Sequence, residues 1–114
     1  MGLKTIKIQG ADRTANGGAL VNSLVVSALP GRLYSLTVFN TGPDQYIQVF
    51  DAAAVPANAT VPKMQAKELA DSQVTIDFGD GRIFAAGIEV CNSTTTAAKT
   101  LGAANCLMDA TYRN

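Results

Sequence analysis

The segment Arg32-Leu-Tyr-Ser-Leu-Thr-Val-Phe-Asn40 decides the fold class of this 114-residue chain. It is rich in β-branched and aromatic residues, which favour extended structure. Its apolar residues Tyr34, Leu36 and Val38 alternate with Ser35 and Thr37. A period of two predicts a β-strand with one face in the core and the other in water.

Strand signals continue on both sides of this segment, with Gly, Pro, Asn and Asp between them. Asn40-Thr-Gly-Pro43 ends the first strand, and residues 45–51 are predicted to pair back on it as a hairpin. Residues 72–78 alternate again, and Gly79-Asp-Gly81 is predicted to be a turn before Ile83 and Phe84. Further strands are predicted at 4–8, 22–28, 87–92 and 106–112, and residues 64–70 form a strand or one helical turn, with the strand favoured.

Seven to eight short strands, with turn signals about every ten residues and no convincing long helix, predict an all-β fold. We expect antiparallel sheets that form a β-sandwich or a jelly roll, in a single domain spanning residues 1–114. Residues 9–21 have no periodicity and contain glycine at two places. This interval is predicted to be a flexible loop or arm.

Composition limits the classes of partner. Nine basic residues balance nine acidic ones, and no Lys/Arg cluster is present to neutralise phosphates, so we expect no nucleic-acid partner. No apolar run approaches the roughly 20 residues of a membrane helix, so we expect no membrane partner either. The N-terminal residues lack the apolar region of a secretory signal, which predicts a protein that is made in the cytosol and stays there.

Catalytic chemistry lacks its usual residues. The chain has no histidine, which excludes Ser/His/Asp and Cys/His nucleophile pairs and every zinc site that uses histidine. Two cysteines are too few for a structural zinc site, and no glycine-rich phosphate-binding spacing occurs. We expect neither enzymatic activity nor a cofactor.

The string Asp77-Phe-Gly-Asp-Gly81 has two interpretations. One is a calcium-binding loop and the other is a plain β-turn. Calcium loops alternate oxygen ligands at every second position, whereas Phe78 interrupts the set here, so the turn is favoured. No metal ligand is assigned.

Cys91 and Cys106 lie on the two predicted strands that flank a Thr/Ala-rich loop. An antiparallel hairpin would bring them together, and a disulfide closing a loop of about 15 residues would contribute about 3 kcal/mol at most. The alternative is two buried free thiols, which are common in proteins made in a reducing cytosol. The loop between them is either an exposed hairpin tip, which is favoured, or a contact surface.

Several short segments carry a likeness to a known group of proteins. They are Leu36-Thr-Val-Phe-Asn40, Tyr46-Ile-Gln-Val-Phe-Asp51, Val55-Pro-Ala, Val61-Pro, Gly87-Ile-Glu-Val-Cys-Asn-Ser-Thr-Thr95 and Lys99-Thr-Leu-Gly-Ala-Ala-Asn-Cys106. Through them the chain, over residues 32 to 112, resembles small β-sandwich virion proteins of tailed bacteriophages. The N-terminal third has no counterpart in the likeness, and no catalytic residue is carried over.

The resemblance implies a structural protein of the virus particle, of the capsid decoration or cement type. The partners it implies are copies of the chain itself, as a homo-oligomer for which a trimer would suit the three-fold points of a capsid, and the major capsid protein or another virion protein. Other positions in the virion are the neck, tail or fibre. An alternative of a different class is a carbohydrate- or receptor-binding β-sandwich, although few aromatic residues are available for a sugar platform.

Overall fold

The structure is a computed structural model that describes residues 11–114. These residues form eight β-strands and no helix. The strands are β1 (Arg13–Asn16), β2 (Ser23–Ser27), β3 (Gly31–Asn40), β4 (Gln45–Asp51), β5 (Met64–Glu68), β6 (Ser72–Phe84), β7 (Ile88–Ser93) and β8 (Cys106–Arg113). The all-β prediction is confirmed, and residues 64–68 are a strand, as favoured.

The strands form two antiparallel sheets of four, packed face to face. Sheet A has the order β1-β8-β3-β6, and sheet B has the order β2-β7-β4-β5. The pairs are nested along the chain: β1 with β8, β2 with β7, β3 with β6, and β4 with β5. Folding the chain in two at the β4–β5 connection and rolling up the result produces this order, which is that of a jelly-roll sandwich.

The predicted hairpin of residues 32–40 with 45–51 is wrong, because β3 lies in sheet A and β4 in sheet B. The chain leaves sheet A at Thr41, whose N–H donates to the carbonyl of Asn105 at 2.9 Å. Pro43 follows and has no N–H to donate to a β-ladder. The four residues 41–44 therefore carry the chain from one sheet to the other.

Strand β3 occupies the middle of sheet A and supplies the core with Leu33, Leu36 and Val38, all without exposed surface. Tyr34, predicted on the inward face, lies outside this set. A bulge between Leu33 and Ser35 shifts the register against both neighbouring strands. The extra residue inverts the inward and outward positions of the strand at this point, which a simple alternation does not foresee.

The predicted turn at Gly79-Asp-Gly81 is also wrong, since the chain does not reverse there. Strand β6 continues from Ser72 to Phe84, and its register on β3 jumps from Asp77 to Arg82. Gly79 and Gly81 have φ of 62° and 92°. Glycine adopts these values without a Cβ penalty, so the two residues let a long bulge form inside one strand.

Within residues 9–21, predicted as a loop or arm, residues 13–16 instead form β1 on the edge of sheet A. Their backbone pairs with β8 in the register Arg13 to Tyr112 through Asn16 to Asp109. The segment is short and polar, so its pairing partner rather than its own pattern determines its structure. Residues 9 and 10 and the strand predicted at 4–8 lie outside the described residues.

The core lies between the two sheets. Its fully buried members are Leu33, Leu36, Val38, Ile47, Val49, Phe84, Ile88, Val90, Cys106, Met108 and Ala110. Most of these come from the four central strands. No helix in residues 11–114 is long and apolar enough to cross a membrane.

Candidate functional site

Cys91 and Cys106 are both free and buried. The hairpin expected to bring them together is absent, because β7 belongs to sheet B and β8 to sheet A. Cys106 belongs to the core cluster, whereas Cys91 lies opposite Gln48 on the face of sheet B that points away from the core. Burial raises the pKa of each thiol, so neither is a reactive thiolate at neutral pH.

A polar cluster lies at the end of the core around Cys106. Gln45 Nε2 donates to Asn40 Oδ1 at 2.7 Å, to Asn105 Oδ1 at 2.9 Å and to Cys106 Sγ at 3.0 Å. Asn92 Nδ2 likewise approaches Asn105 Oδ1 at 3.0 Å. These amides join the ends of strands from both sheets, and so fix how the sheets meet.

Acceptors outnumber donors beside this cluster. Glu68, the cross-strand partner of Gln45, is 2 % exposed, and its carboxyl oxygens make no hydrogen bond of normal geometry among the described residues, although the Val74 N–H lies near enough to lower the Glu68 pKa against the effect of burial. Asn92 Oδ1 also lacks a hydrogen-bond partner in this part of the chain. Burial raises the pKa of Glu68 to about 7. A proton on this carboxyl supplies a donor that the site otherwise lacks.

The outward face of sheet B is covered by two loop segments, residues 52–62 and 94–105, which together are called the cover. The segments bind each other: Ala59 N–H donates to the carbonyl of Lys99 at 2.7 Å, and Lys99 N–H donates to that of Thr60 at 2.9 Å. Leu101 N–H donates to Asn58 Oδ1 at 3.1 Å. The Thr/Ala-rich loop, predicted to be an exposed hairpin tip, is exposed at residues 94–97, 100, 103 and 104, but it lies across sheet B and does not connect a hairpin.

Side chains beneath the cover are fully buried although they point away from the core. They are Gln48, Phe50, Glu89, Cys91 and Ser93, with exposures of 0 to 1 %. On the outward face of sheet A, by contrast, Phe39, Leu107 and Asp109 are exposed. The sandwich thus has a third layer on one side only.

Glu89 and Lys99 bring charge into that layer. Glu89 Oε1 accepts a hydrogen bond from Cys91 Sγ at 2.5 Å, while Oε2 makes no hydrogen bond of normal geometry among residues 11–114. Lys99 is 3 % exposed, and its ammonium donates to the carbonyl of Pro56. Burial raises the pKa of Glu89 to about 7, against the opposing effects of the Cys91 hydrogen bond and the Lys99 charge.

A surface hollow of ≈ 690 Å³ lies beside the β6 bulge. Arg32 and Arg113, which line it, are direct cross-strand partners on β3 and β8. Tyr34 forms part of its wall and packs against the backbone at Gly81, where an added Cβ would lie 2.9 Å from the ring. The hollow therefore combines an aromatic wall with charged side chains of both signs, Arg32, Arg113 and Asp80.

Asp77 and Asp80, the carboxylates of the alternative calcium loop, serve the bulge itself. Asp77 Oδ1 accepts from Gly79 N–H at 2.8 Å, and the carbonyl of Asp80 accepts from Arg32 at 3.5 Å. In the part of the chain that the structure describes, no three His, Cys, Asp or Glu side chains are grouped to hold a metal ion.

Glu89 and Lys99 were not singled out from the sequence, although a signal for Glu89 exists. The run Ile88-Glu-Val-Cys91 places a carboxylate and a cysteine on the same face of a strand. Because cysteine is usually buried, a strand face that carries it is rarely exposed to solvent. Lys99 has no comparable signal, because it is one cation in a loop without periodicity. Comparison of the chain with protein-family models, curated proteins and solved structures finds no match.

Proposed function

We propose that this protein is a structural component of a tailed-bacteriophage particle, a capsid decoration protein that strengthens the head through contacts between copies and with the major capsid protein. The likeness over residues 32 to 112 supports the virion role. The jelly-roll order is compatible with it, but viral shell proteins and lectins share this architecture, so the fold alone does not separate the two classes.

The observation that carries the proposal is the open side of the sandwich at β6. This strand has thirteen residues and ends sheet A, whereas β5, which ends sheet B on the same side, has five. The inward residues Val74 and Phe78 pack on the core but stay half-buried. Ile83 is 58 % exposed on the same strand. Such an edge is an unfinished surface that a neighbouring protein can complete.

Strand β6 also limits what can add to it. The bulge between Asp77 and Arg82 interrupts the edge, and the backbone of Val74 also lies near the Glu68 carboxyl, so β6 offers only short runs of backbone groups to a neighbour. Bulges of this kind prevent indiscriminate strand addition. This edge therefore suits a contact with one specific neighbouring protein better than repeated strand addition into a fibre. The formal net charge of zero adds little repulsion between copies.

A carbohydrate- or receptor-binding module is the second candidate, favoured by the hollow at Arg32, Tyr34 and Arg113. One aromatic wall beside the Arg32 guanidinium suits an acidic sugar or an acidic receptor segment. Binding of the isolated protein to an array of acidic glycans, lost in Tyr34→Ala, would support this candidate over the decoration role.

Co-sedimentation with purified phage shells tests the decoration role. We expect the wild-type protein to sediment with the shells and to remain bound in high salt, because apolar contacts are not screened. Ile83→Asp places a charge on the open side and should lose binding. Leu20→Asp is the matched control, since Leu20 is 46 % exposed near the opposite, β1 side of the molecule. Failure of the wild-type protein to bind shells contradicts the proposal.

A further inference from the structure

The cover is fastened to sheet B by polar contacts at its tip. Gln48 Nε2 donates to the carbonyls of Thr95 and Ala98 at 3.2 and 3.4 Å. Gln65 Nε2 donates to Thr96 Oγ1 at 2.7 Å and accepts from Ala97 N–H at 3.1 Å. The tip residues 94–97, which make most of these contacts, are exposed, so this part of the cover is held by hydrogen bonds at the surface and can open locally.

Beneath the cover, burial withholds water from two charged groups at once. Glu89 Oε2 makes no hydrogen bond of normal geometry among the described residues, although the Val90 and Leu24 N–H groups lie near enough to lower the Glu89 pKa against the effect of burial. The Lys99 ammonium donates to Pro56 rather than to Glu89. Their attraction is therefore exerted through space and offsets only part of the desolvation cost. Lifting the part of the cover around Lys99 returns both groups to water. Residues 103–105, which are bound to Asn92 and Gln45 at the end of the core, stay in place.

We propose that the cover is a pH-sensitive lid, closed when Glu89 is protonated and loosened when Glu89 loses its proton, so that Cys91 and Phe50 become accessible. The proton passes from the Glu89 carboxyl to water, and no other bond changes. Closing favours the neutral carboxyl, so by linkage proton release favours opening. This inference does not depend on the virion role.

The groups around Glu89 leave it as the titrating residue of the layer. Its own strand supplies Cys91, whose pKa is raised, and the cover supplies Lys99. Strand β4 presents the neutral Gln48 and Phe50, and β2 presents the neutral Val25 opposite Glu89. Residues 52–62 of the cover contain no charged side chain. Burial raises the pKa of Glu89 to about 7, which sets the pH range of the transition.

Thiol accessibility tests the lid. In a Cys106→Ala variant, Cys91 is the only thiol of the chain. The rate of its reaction with dithiodipyridine is measured in the folded protein and in denaturant at the same pH. The ratio of the two rates measures how far the fold protects Cys91, because the effect of pH on the thiol itself cancels. We expect protection to fall on the order of tenfold between about pH 5 and about pH 7.5, as Glu89 ionises. The Glu89→Gln variant should show constant protection over this range.

Cys106 separates lid opening from unfolding. It lies in the core, outside the cover, so in a Cys91→Ala protein its protection should exceed that of Cys91 and should change less with pH. Equal loss of protection at both cysteines means that the whole fold opens, and this overturns the proposal. Protection of Cys91 that is independent of pH, or that falls equally in Glu89→Gln, overturns it as well.

Hydrogen exchange of the unmodified protein provides a second measurement if Glu89→Gln does not fold. The backbone N–H groups of Ala59 and Lys99 join the two segments of the cover. After correction for intrinsic exchange, their protection should fall as the pH rises towards about 7, while that of β3 amides falls less. Parallel changes in the two sets contradict a separate lid.

Discussion

Cys91 and Cys106 lie on different sheets and face different compartments of the fold. Cys106, on sheet A, points into the core between the sheets, and Cys91, on sheet B, points away from it beneath the cover. The fifteen-residue spacing that makes them look like a hairpin pair instead spans a crossing from sheet B to sheet A. Side chains that point to different compartments of the fold do not favour a disulfide between them.

The two thiols should therefore stay reduced in the folded protein, even in an oxidising buffer. We expect equal melting temperatures with and without a reductant, and an intact mass that retains both thiol hydrogens. Two thiols should titrate after denaturation. A melting temperature that falls on reduction would show that the bond forms and that the separation of the strands is incorrect.

Glu68 and Glu89 should make the fold more stable in mild acid than at neutral pH. Burial raises the pKa of both carboxyls from 4.5 to about 7. Between these values the folded protein keeps protons that the unfolded chain has released, so the free energy of unfolding falls as the pH rises. The decrease reaches about 3 kcal/mol at most for each carboxyl and ends just above pH 7.

Urea denaturation at several pH values measures this dependence. Glu68→Gln and Glu89→Gln should each flatten the curve between about pH 4.5 and about pH 7, because the amide keeps the shape and loses the titration. Asp109→Asn, at an exposed position on sheet A, is the control and should leave the slope unchanged. A slope of the opposite sign would contradict the burial of the two glutamates.

Asp51 should have the opposite effect on the pH dependence of stability, and should make the fold less stable in acid. Its carboxylate accepts from the N–H groups of Ala86 at 2.8 Å, Ala85 at 3.1 Å and Gly87 at 3.4 Å, which ties the end of β4 to the β6–β7 connection. The hydrogen bonds from Ala86 and Ala85 lower the pKa of Asp51 below 3.8. The resulting stability is present above pH 3.8 and is lost as the pH falls through the lowered pKa.

Replacement of Asp51 by Asn should destabilise the protein by about 1 kcal/mol at neutral pH, the lower end for charge-assisted hydrogen bonds because the site is exposed. The loss should disappear in strong acid, where the wild-type carboxyl is protonated too. Asp109→Asn again serves as the control in the same urea titrations. A constant difference at every pH would show that charge is not responsible.

Gly81 and Gly79 form a matched pair for testing the bulge of β6. Both have positive φ, so alanine at either position meets backbone strain of about 1 kcal/mol. An added Cβ at Gly81 also lies 2.9 Å from the Tyr34 ring, whereas nothing is within 4 Å at Gly79. Gly81→Ala should therefore cost about 1 to 3 kcal/mol more than Gly79→Ala in urea denaturation. Equal costs would contradict the packing of Tyr34 on this backbone.

The sequence predicts which segments are strands better than it predicts what they pair with. Alternation in 32–40 and 72–78 predicts two strands that the structure confirms, and it identifies the inward residues Leu36 and Val38 but not Leu33, which the bulge places inward in place of Tyr34. It does not identify the partner strand, since a strand with one apolar face suits either sheet. The link 41–44 is short enough for a hairpin, and its sequence does not show that it crosses from sheet A to sheet B.

The candidate sites were harder to foresee for the same reason. The cover depends on hydrogen bonds between residues 59–60 and 99, which are far apart in the chain and lie in loops without periodicity. Burial of Lys99 follows from those contacts and not from its neighbours in the sequence. Glu89 within an apolar strand was the one local indication that the outward face of sheet B is covered.

Cryo-electron microscopy of phage particles assembled with and without this protein tests the decoration role most directly. The account predicts repeated density on the outer surface of the head that fits the eight-strand sandwich, with the β6 side against a neighbour, and that is missing from particles lacking the protein. Density confined to the tail or neck, or identical particles in both preparations, would contradict it.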